Sequence, residues 1–386
     1  MTRVVVLGAG IVGAACAREL AAAGCAVTVV ERARPAAATT AHGEGNILVS
    51  DKGPGPELEL ARLSLRLWPR LLEALPDPGA VEWEAKGGIV VATTAEGAAA
   101  LRDFAAGQRA AGITAAELDA AAFAEAEPHA VKDVAAAVHY PEDAQVQPAA
   151  AATALLGAAV RAGAVLRTGC EVTGAVAANG RITGVRTTGG TVGADAVVNA
   201  AGPWSGEVAA RLGVRLDVRP RRGEVLVTAP LPPTVFHKVY DADYVGAVGS
   251  GEAGLQASAV VESTRAGTVL IGSTRRRAGF DDRIRPGVLS VLAARALRLF
   301  PSMADVPVMR AYGGFRPYVA DHLPVIGPDP ELDGLWHATG HEGAGIGLSA
   351  GTAAVLRDLM LGREPEIDAA PFRVDRPAVR PEGRAA

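Results

Sequence analysis

The sequence predicts an α/β fold, with one domain built on a parallel central sheet and a second domain rich in β-strands. Three observations lead to this prediction. Residues 1–31 alternate strand, helix and strand, which is typical of a βαβ unit and therefore of parallel strands. Residues 214–315 consist mostly of segments with the alternating pattern of strands, interrupted by one helix. The chain of 386 residues is long enough for two or three structural units.

The individual elements follow from the hydrophobic pattern. A strand is predicted at 4–7, a helix with one apolar face at 11–23, and a β-branched strand at 27–30. Further helices are predicted at 58–75, within 95–127, and at 148–162, 288–300 and 346–361. Further strands are predicted at 87–93, at 163–166 together with 171–172, and at 182–187, 191–192, 195–199, 224–228, 255–262, 268–272 and 335–340.

The composition argues against several classes of protein. A net charge of −4 gives no reason to expect a polyanionic partner. The basic clusters at 219–222 and 275–277 have no interleaved aromatic residues, which favours a solvated loop or a partner-facing patch over nucleic-acid binding. The cysteines, at positions 16, 25 and 170, are too scattered for a disulfide framework or a metal knuckle. The apolar run at 4–17 is shorter than the roughly 20 residues of a membrane span, so we expect a cytoplasmic protein without a spanning or targeting segment.

A phosphate-binding turn is predicted near the start of the chain. Gly8, Gly10 and Gly13 form a G-x-G-x-x-G pattern between the first strand and the first helix. Such glycines permit a tight turn, a close approach of a pyrophosphate to the backbone, and close packing of helix on strand. Glu31 ends the second strand at the spacing expected for an acid that binds ribose hydroxyls. The turn therefore predicts a Rossmann-type dinucleotide site, and by itself it leaves NAD and FAD open.

Two later segments favour FAD. Residues 199–204 end a buried strand, and residues 339–347 form a glycine-rich turn that leads into the last helix. The amides at a second helix N-terminus suit the electron-rich edge of a reduced flavin ring. A nicotinamide enzyme has no need for a second site so late in the chain.

With these segments the chain resembles the flavin-dependent amine and D-amino-acid oxidoreductase family, which includes glycine oxidase, sarcosine oxidase and D-amino-acid dehydrogenases. It is similar in particular to the flavin β subunits of hydroxyproline/proline dehydrogenases, opine oxidases and hydrogen cyanide synthase. The resemblance runs from residue 2 to about residue 372. It rests on GAGIVGAACARELAAAGCAVTVVER near the N-terminus, TTAHGEGNI at 39–47, NAAGPW at 199–204, GGFRPYVADHLPVIGP at 313–328 and GHEGAGIGLSAGT at 340–352.

The resemblance implies a set of FAD-binding residues. They are Gly8, Gly10, Ile11 and Val12 at the pyrophosphate, Glu31 and Arg32 at the ribose, Thr39, Thr40, Gly45 and Asn46 along the phosphates and flavin, Val172 at the adenine, Ala201, Gly202 and Trp204 beside the cofactor, and Gly343, Ala344, Gly345 and Ile346 at the flavin pyrimidine. Some sarcosine oxidases tether their flavin to a cysteine near the C-terminal segment. Because no cysteine follows Cys170 here, we expect non-covalent FAD. We expect no metal, because Gly340 breaks the helix that would place His337 and His341 on one face and no third ligand is near.

The expected reaction is oxidation of a small amine or amino acid, with hydride transfer to flavin N5. Arg316 is the first candidate for binding a substrate carboxylate, and the alternative is a structural role in which it pairs only with an acid or a backbone carbonyl. Tyr240 and Tyr244 either close over the substrate or pack in the core, and His341 either faces the substrate or is a satisfied loop histidine. The electron acceptor is left open between O2 and a protein, including an iron–sulfur partner subunit, since the chain lacks the cysteines for a cluster of its own.

The predicted FAD domain is discontinuous and comprises 1–75, 145–213 and 316–372. The substrate domain comprises 76–144 and 214–315, and the Pro/Arg-rich residues 373–386 are expected to form a loose tail. One alternative is a serine hydrolase, because residues 347–351 fit the G-x-S-x-G pattern around Ser349. That pattern requires a sharp turn directly after a strand, whereas Ser349 is predicted inside a helix, so we consider a hydrolase a poor fit.

Overall fold

The computed structural model describes residues 1–380, with the backbone alone at 247–248. The helices are α1 Ile11–Ala22, α2 Pro56–Glu73, α3 Ala95–Ala110, α4 Ala120–Ala126, α5 Pro148–Arg161, α6 Ser205–Leu212, α7 Asp243–Val248, α8 Pro286–Leu299 and α9 Gly345–Met360. The strands are β1 Arg3–Leu7, β2 Ala26–Val30, β3 Asn46–Ile47, β4 Gly88–Ala92, β5 Ala116–Leu118, β6 Ala136–Tyr140, β7 Ala144–Gln145, β8 Val165–Arg167, β9 Val172–Ala178, β10 Arg181–Thr187, β11 Gly190–Gly193, β12 Ala196–Asn199, β13 Arg219–Thr228, β14 Lys238–Asp241, β15 Gln256–Ser263, β16 Val269–Arg275, β17 Val308–Tyr318, β18 Val325–Pro328 and β19 Leu335–Thr339.

The central sheet has the strand order β18-β19-β12-β1-β2-β8. All neighbouring strands from β19 to β8 are parallel, and β18 adds an antiparallel edge. Strands β1 and β12 are apolar and almost entirely buried, as expected for parallel strands covered on both faces. Helix α1 packs between α5 and α9 on one side. The predicted parallel sheet and its βαβ start are thereby confirmed.

A second sheet of eight strands has the order β17-β13-β16-β15-β14-β4-β6-β5. Its neighbours are antiparallel except for the pair β14 and β4. Helix α8 covers one face and buries Leu292, Ala296 and Leu299 against β13, β15 and β16. The strands come from both chain segments assigned by prediction to the substrate domain, while the boundaries of the two domains stay a prediction. Strand β17 runs on to Tyr318, past the predicted boundary at 315.

The predicted strand at 163–172 is wrong in one respect. The structure splits it into β8, which pairs with β2 in the central sheet, and β9, which belongs to a separate three-stranded sheet with β10 and β11. The break falls at Gly169, whose φ of +61° is unfavourable for other residues. The predicted hairpin around 189–190 is confirmed as β10 and β11.

The predicted loose tail is also wrong for the residues that the structure describes, up to 380. Val374 and Val379 are 1% and 0% exposed and join the apolar cluster on the β12 side of the central sheet. Arg376 forms an ion pair with Asp321 at 2.6 Å, and the Asp217 amide donates to the Val379 carbonyl at 2.9 Å. The two buried valines thus hold this segment against the protein, although its proline and arginine content suggested that it would be solvated. Residues 381–386 lie outside the described part.

The two basic clusters are not the solvated loops or partner patches that the sequence suggested. Arg221, Arg222, Arg275 and Arg276 are buried in β13, β16 and the residue that follows β16, while only their neighbours Arg219 and Arg277 are exposed. The charge of Arg276 is met by the fully buried Glu224 at 2.8 Å, which also lies 3.5 Å from Arg222. The arginines therefore belong to the interior of the second sheet. No helix within residues 1–380 is long and apolar enough to span a membrane.

Candidate functional site

The main cavity, of about 600 Å³, lies at the carboxyl ends of the parallel strands. Residues that directly follow four strands line it: Gly8 after β1, Glu31 after β2, Ala200 after β12 and His341 just beyond β19. This edge of an open parallel sheet is where ligands bind in doubly wound folds. The cavity therefore lies where the sequence predicts the nucleotide.

The glycine turn after β1 has no room for side chains. Gly8 adopts φ +106°, and a Cβ there would lie 2.6 Å from the carbonyl oxygen of Ala200. A Cβ on Gly13 would collide with the carbonyl oxygen of Gly8, so glycine at 13 allows α1 to sit directly against the turn. The N-cap residue Gly10 brings no side chain to the first-turn amides of α1, although the Ile11 amide donates to the Thr40 hydroxyl at 3.0 Å. A helix N-terminus without an N-cap side chain at a cavity suits a pyrophosphate.

Glu31 and Arg32 form the next part of the wall. The Glu31 carboxylate accepts hydrogen bonds from the amides of Ala9 at 2.9 Å and Ala33 at 2.8 Å, which fixes it at the end of β2. The Arg32 guanidinium lies 4.0 Å from the centre of the Trp204 ring, which in turn stacks on Phe280 at 5.2 Å. An acid and a cation–π stack at this edge fit a ribose and an extended cofactor.

A second uncapped helix start faces the same cavity. Helix α9 begins at Gly345, next to a short 3-10 turn at Glu342–Ala344, and its N-cap residue Ala344 makes no side-chain hydrogen bond. Gly345 lines the main cavity together with the residues at the start of α1. Two helix N-termini that converge on one cavity fit a ligand with a negative charge and an electron-rich ring, as FAD has.

Most of the predicted FAD-binding residues line the main cavity. They are Gly8, Gly10, Ile11, Val12, Glu31, Arg32, Thr39, Thr40, Val172, Ala201, Gly202, Trp204 and Gly345. Gly45, Asn46, Gly343 and Ile346 line instead a smaller cavity of about 80 Å³. Ala344 lines neither of these two cavities. Which of these residues contact FAD stays a prediction.

The smaller cavity, here called the inner chamber, adjoins the main one, since Ile11, Thr39 and Gly345 border both. Its own walls are formed by Glu44, Gly45, Asn46, Gly223, Val225, Tyr244, Arg316, Gly343 and Ile346. These residues come from the loop between β2 and β3, from β3, from α7, from β13 and β17, and from the turn and first residues of α9. The second sheet thus closes a chamber directly beside the main cavity.

Arg316 brings a positive charge into the inner chamber. Its guanidinium donates to the Thr274 carbonyl at 2.8 Å and to the Ser273 hydroxyl at 3.1 Å, and it forms no ion pair with the described residues. Burial, together with the neighbouring charge of Arg275, lowers the pKa of Arg316 to about 10, while Tyr244, Glu44 and Glu342 oppose the shift. A guanidinium without an acid partner is a favourable site for an anion.

The other candidate side chains are placed differently. Tyr244 lines the inner chamber, with the Arg275 guanidinium 4.6 Å from its ring centre. Tyr240 is fully buried behind it and donates to the Ser50 hydroxyl at 2.5 Å. The suggestion that Tyr240 closes over a substrate is therefore corrected, because this side chain belongs to the core. The two rings meet edge to face, 5.1 Å apart.

His341 lies on the wall of the main cavity but is only 3% exposed, and its Nε2 is 2.9 Å from the Thr352 hydroxyl. Burial lowers its pKa to about 3, so the ring is neutral near pH 7. Within residues 1–380 no cluster of His, Cys, Asp or Glu side chains is arranged to hold a metal ion.

The hydrolase pattern does not form a nucleophile. Ser349 lies inside α9, is fully buried, and donates its hydroxyl to the Ile346 carbonyl at 2.8 Å. A nucleophilic serine of this motif needs an exposed position on a strand–turn–helix elbow.

Sequence reasoning missed Glu44 and Tyr312 as parts of the site. Glu44 lines the inner chamber and Tyr312 the main cavity. The signal for Glu44 was available, since it is a charged residue between two glycines within the segment 39–47. Tyr312 precedes two glycines of β17 and resembled an ordinary strand residue.

Comparisons with known proteins agree with this geometry. The model of the family described as FAD dependent oxidoreductase matches residues 3–359. The chain is 34% identical over 386 residues to a glycine oxidase of Geobacillus kaustophilus, covering 97% of this chain and 96% of that protein. It is 36% identical over 235 residues to a D-amino acid dehydrogenase of Cereibacter sphaeroides, covering 60% of this chain and 50% of that protein. The crystal structure of glycine oxidase from G. kaustophilus superposes with a TM-score of 0.88 at 30% identity, covering 97% of this chain and 99% of the other.

Proposed function

The chain belongs to the family of FAD-dependent oxidoreductases, and from this we propose that it oxidises the carbon–nitrogen bond of a small amino acid or secondary amine to an imine. Glycine, N-alkyl glycines, D-amino acids and cyclic imino acids all belong to this class. Each has an amine next to the carbon that loses hydrogen, and each has a carboxylate.

The cofactor would be held without a covalent bond. The amides at the start of α1 would bind its pyrophosphate, Glu31 its ribose, and the start of α9 the pyrimidine end of its flavin. When bound there, FAD accepts the hydride and thus the two electrons that leave the substrate. The glycine cradle around Gly8, which a single Cβ would obstruct, supports this assignment.

Arg316 is the observation that carries the proposal. It is the cation of the inner chamber without an acid partner among the described residues, and the chamber adjoins the main cavity. A carboxylate bound by the guanidinium would hold the substrate at one end of the chamber. Positioning of the reacting carbon is the main contribution that a protein makes to such a reaction, since the cofactor supplies the chemistry.

Tyr244 and Phe315 would narrow the chamber around the substrate. Tyr244 extends from α7, and Phe315 packs edge to face on Phe280 at 5.3 Å. Apolar walls exclude water and strengthen the interaction between a buried guanidinium and a carboxylate. His341 would contribute a neutral wall, because burial keeps its pKa far below 7.

The names of the relatives support an amino-acid substrate. One is a glycine oxidase and another a D-amino acid dehydrogenase. The two names also differ in the electron acceptor that they suggest. We therefore leave the acceptor as O2 or a protein, such as an iron–sulfur subunit.

The proposal is tested by mixing the FAD-loaded protein, without air, with D-amino acids, cyclic imino acids and N-alkyl glycines. We expect one class to bleach the visible flavin absorbance, and the same compounds without their amine to leave it unchanged. Readmitting air then distinguishes the acceptors, since rapid return of the colour indicates O2 and slow return indicates a protein acceptor. A protein that binds FAD but is bleached by none of these compounds contradicts the proposal.

A further inference from the structure

One region beside the inner chamber is short of hydrogen-bond donors. Four buried oxygens there have no hydrogen-bond partner among the described residues: Glu44 Oε1, Asn46 Oδ1, Gln145 Oε1 and Glu262 Oε1. Asn46 and Gln145 face each other across the pair β3 and β7, and the Gln145 amide donates to the carbonyl of Ser263, next to Glu262. Buried polar oxygens are nearly always hydrogen-bonded in folded proteins. A ligand with N–H groups would satisfy such a region.

Two of these residues, Glu44 and Asn46, line the inner chamber itself. The Asn46 amide reaches one oxygen of Glu44 only at 3.3 Å, and the other oxygen stays without a partner. Strand β16 passes close to this carboxylate, where a Cβ on Gly272 would collide with Oε1. The glycine leaves the space that the Glu44 side chain occupies in the chamber wall.

The ion pairs of the region leave one carboxylate without a charged partner. Glu84, Glu262 and Glu44 contribute three carboxylates. Lys238 and Lys86 contribute two ammonium groups, of which Lys238 donates to Glu262 at 3.2 Å and Lys86 lies 3.9 Å from Glu84. Glu44 is the carboxylate of this set without an ion pair among the described residues, and Arg316 is a guanidinium of the same chamber that also forms none. An unpaired carboxylate and an unpaired guanidinium in one chamber suit a ligand that carries both an amine and a carboxylate.

We propose that Glu44 accepts a hydrogen bond from the amine of the substrate, so that the inner chamber selects zwitterionic amino acids held by Glu44 at the amine and by Arg316 at the carboxylate. This assignment rests on the proposed function and adds the second contact point. A substrate gripped at both charges presents one orientation of the carbon between them. Amines without a carboxylate, and carboxylates without an amine, bind through one contact only.

The test compares Glu44→Gln with the unaltered FAD-loaded protein. The amide keeps nearly the same volume and removes the charge. For the amino acid that reduces the flavin, we expect KM to rise by about 10- to 100-fold, the loss typical of a hydrogen bond to a charged group, while kcat falls much less. Binding of acetate, followed by its perturbation of the visible flavin spectrum, should stay unchanged because acetate uses Arg316 alone. Glu73→Gln, on the exposed end of α2, is the matched control and should change neither value.

Several results would overturn the assignment. An unchanged KM in Glu44→Gln, with the unaltered protein active, rejects the role of Glu44 and leaves the proposed function intact. A loss of bound FAD with an unchanged KM shows that the carboxylate serves the cofactor. An unaltered protein that is reduced by no amine rejects both proposals together. If Glu44→Gln fails to fold, Glu44→Asp retains the charge one methylene farther back, and an unchanged KM in this variant also rejects the assignment.

Discussion

Replacing Arg316 by methionine separates the binding of substrate from the stability of the fold. Methionine resembles the aliphatic stem of the arginine side chain but removes both the charge and the donors. If the guanidinium holds a substrate carboxylate through charge-assisted hydrogen bonds, its loss costs about 3 kcal/mol of transition-state binding. That free energy corresponds to a decrease in kcat/KM of roughly 100-fold. Rapid-mixing measurements of flavin reduction against amino-acid concentration, without air, report this ratio directly.

The stability of the variant should move little, or upward. Arg316 loses two hydrogen bonds, to Thr274 and Ser273, which are worth about 1 kcal/mol each. Against this loss stands the removal of a buried charge with no acid partner among the described residues, whose desolvation costs several kcal/mol. Thermal unfolding of the two proteins measures the balance. A structural arginine would give the opposite pattern, with lower stability and an unchanged kcat/KM.

Arg298→Met is the matched control. Arg298 lies on α8, is exposed and lines neither cavity. We expect this variant to retain kcat/KM within about twofold, since surface substitutions away from a site have small effects. Equal losses in both variants would refute the reasoning, because they would show that the effect does not depend on the chamber.

Three further predictions concern the cofactor site and the last helix. Gly13→Ala should lose most of its FAD, measured from the absorbance ratio of flavin to protein, because the new methyl group collides with Gly8 and displaces α1; normal occupancy would contradict the packing argument. Ser349→Ala should retain flavin reduction and show no change in any esterase activity, since its hydroxyl only reaches the Ile346 carbonyl. His341→Gln should reduce the loss of unfolding free energy at acid pH. The pKa of His341 falls from 6.5 to about 3 on folding. Between these values the unfolded chain binds a proton that the folded protein does not, so the unaltered protein loses stability as pH falls from about 6.5 toward 3. Chemical unfolding at several pH values tests this last prediction, and an identical acid dependence in both proteins would count against it.

The parts of the fold with a strong local pattern could be predicted from the sequence. Helix α1 was placed at 11–23 and is found at Ile11–Ala22, and α9 was placed at 346–361 and is found at Gly345–Met360. Both follow a glycine turn and carry continuous apolar faces, so local chemistry determines where they begin. The strands β1 and β2 are short, apolar and bounded by glycines, and their pairing follows from the helix between them.

The interior of the second sheet could not be read in this way. Arginines that occur in two short basic clusters suggest solvent, yet buried partners explain why they lie inside. Glu224 lies close to Arg222 and Arg276. Arg221 pairs with Glu342, and Arg275 lies against the Tyr244 ring. The tail was misjudged for a similar reason, since Val374 and Val379 are isolated apolar residues among prolines and arginines. Whether such residues are buried depends on their contacts with residues far away in the sequence, and the local pattern of a single sequence does not show those contacts.

The sequence predicts the parts of the candidate site that depend on glycine geometry. It does not predict the parts that depend on how the domains pack together. The turn at Gly8 and the acid at Glu31 follow a fixed spacing along the chain. Tyr240 and Tyr244 have the same residue type four positions apart, yet one faces the core and the other the chamber. That difference arises from the start of α7 directly after β14, which the strand pattern did not reveal.

The order of strands in the central sheet has a consequence for how the protein is made. Strand β1 is synthesised before its neighbour β12, which comes about 190 residues later, and β19 follows after more than 130 further residues. The βαβ unit that contains β1 therefore keeps one sheet edge unpaired until β12 has been made. Since α9 comes after the other elements that line the cavity, FAD can find its complete site only once α9 has been synthesised. Chains made in a cell short of flavin would complete this site without their cofactor, and those chains would be the ones exposed to proteases.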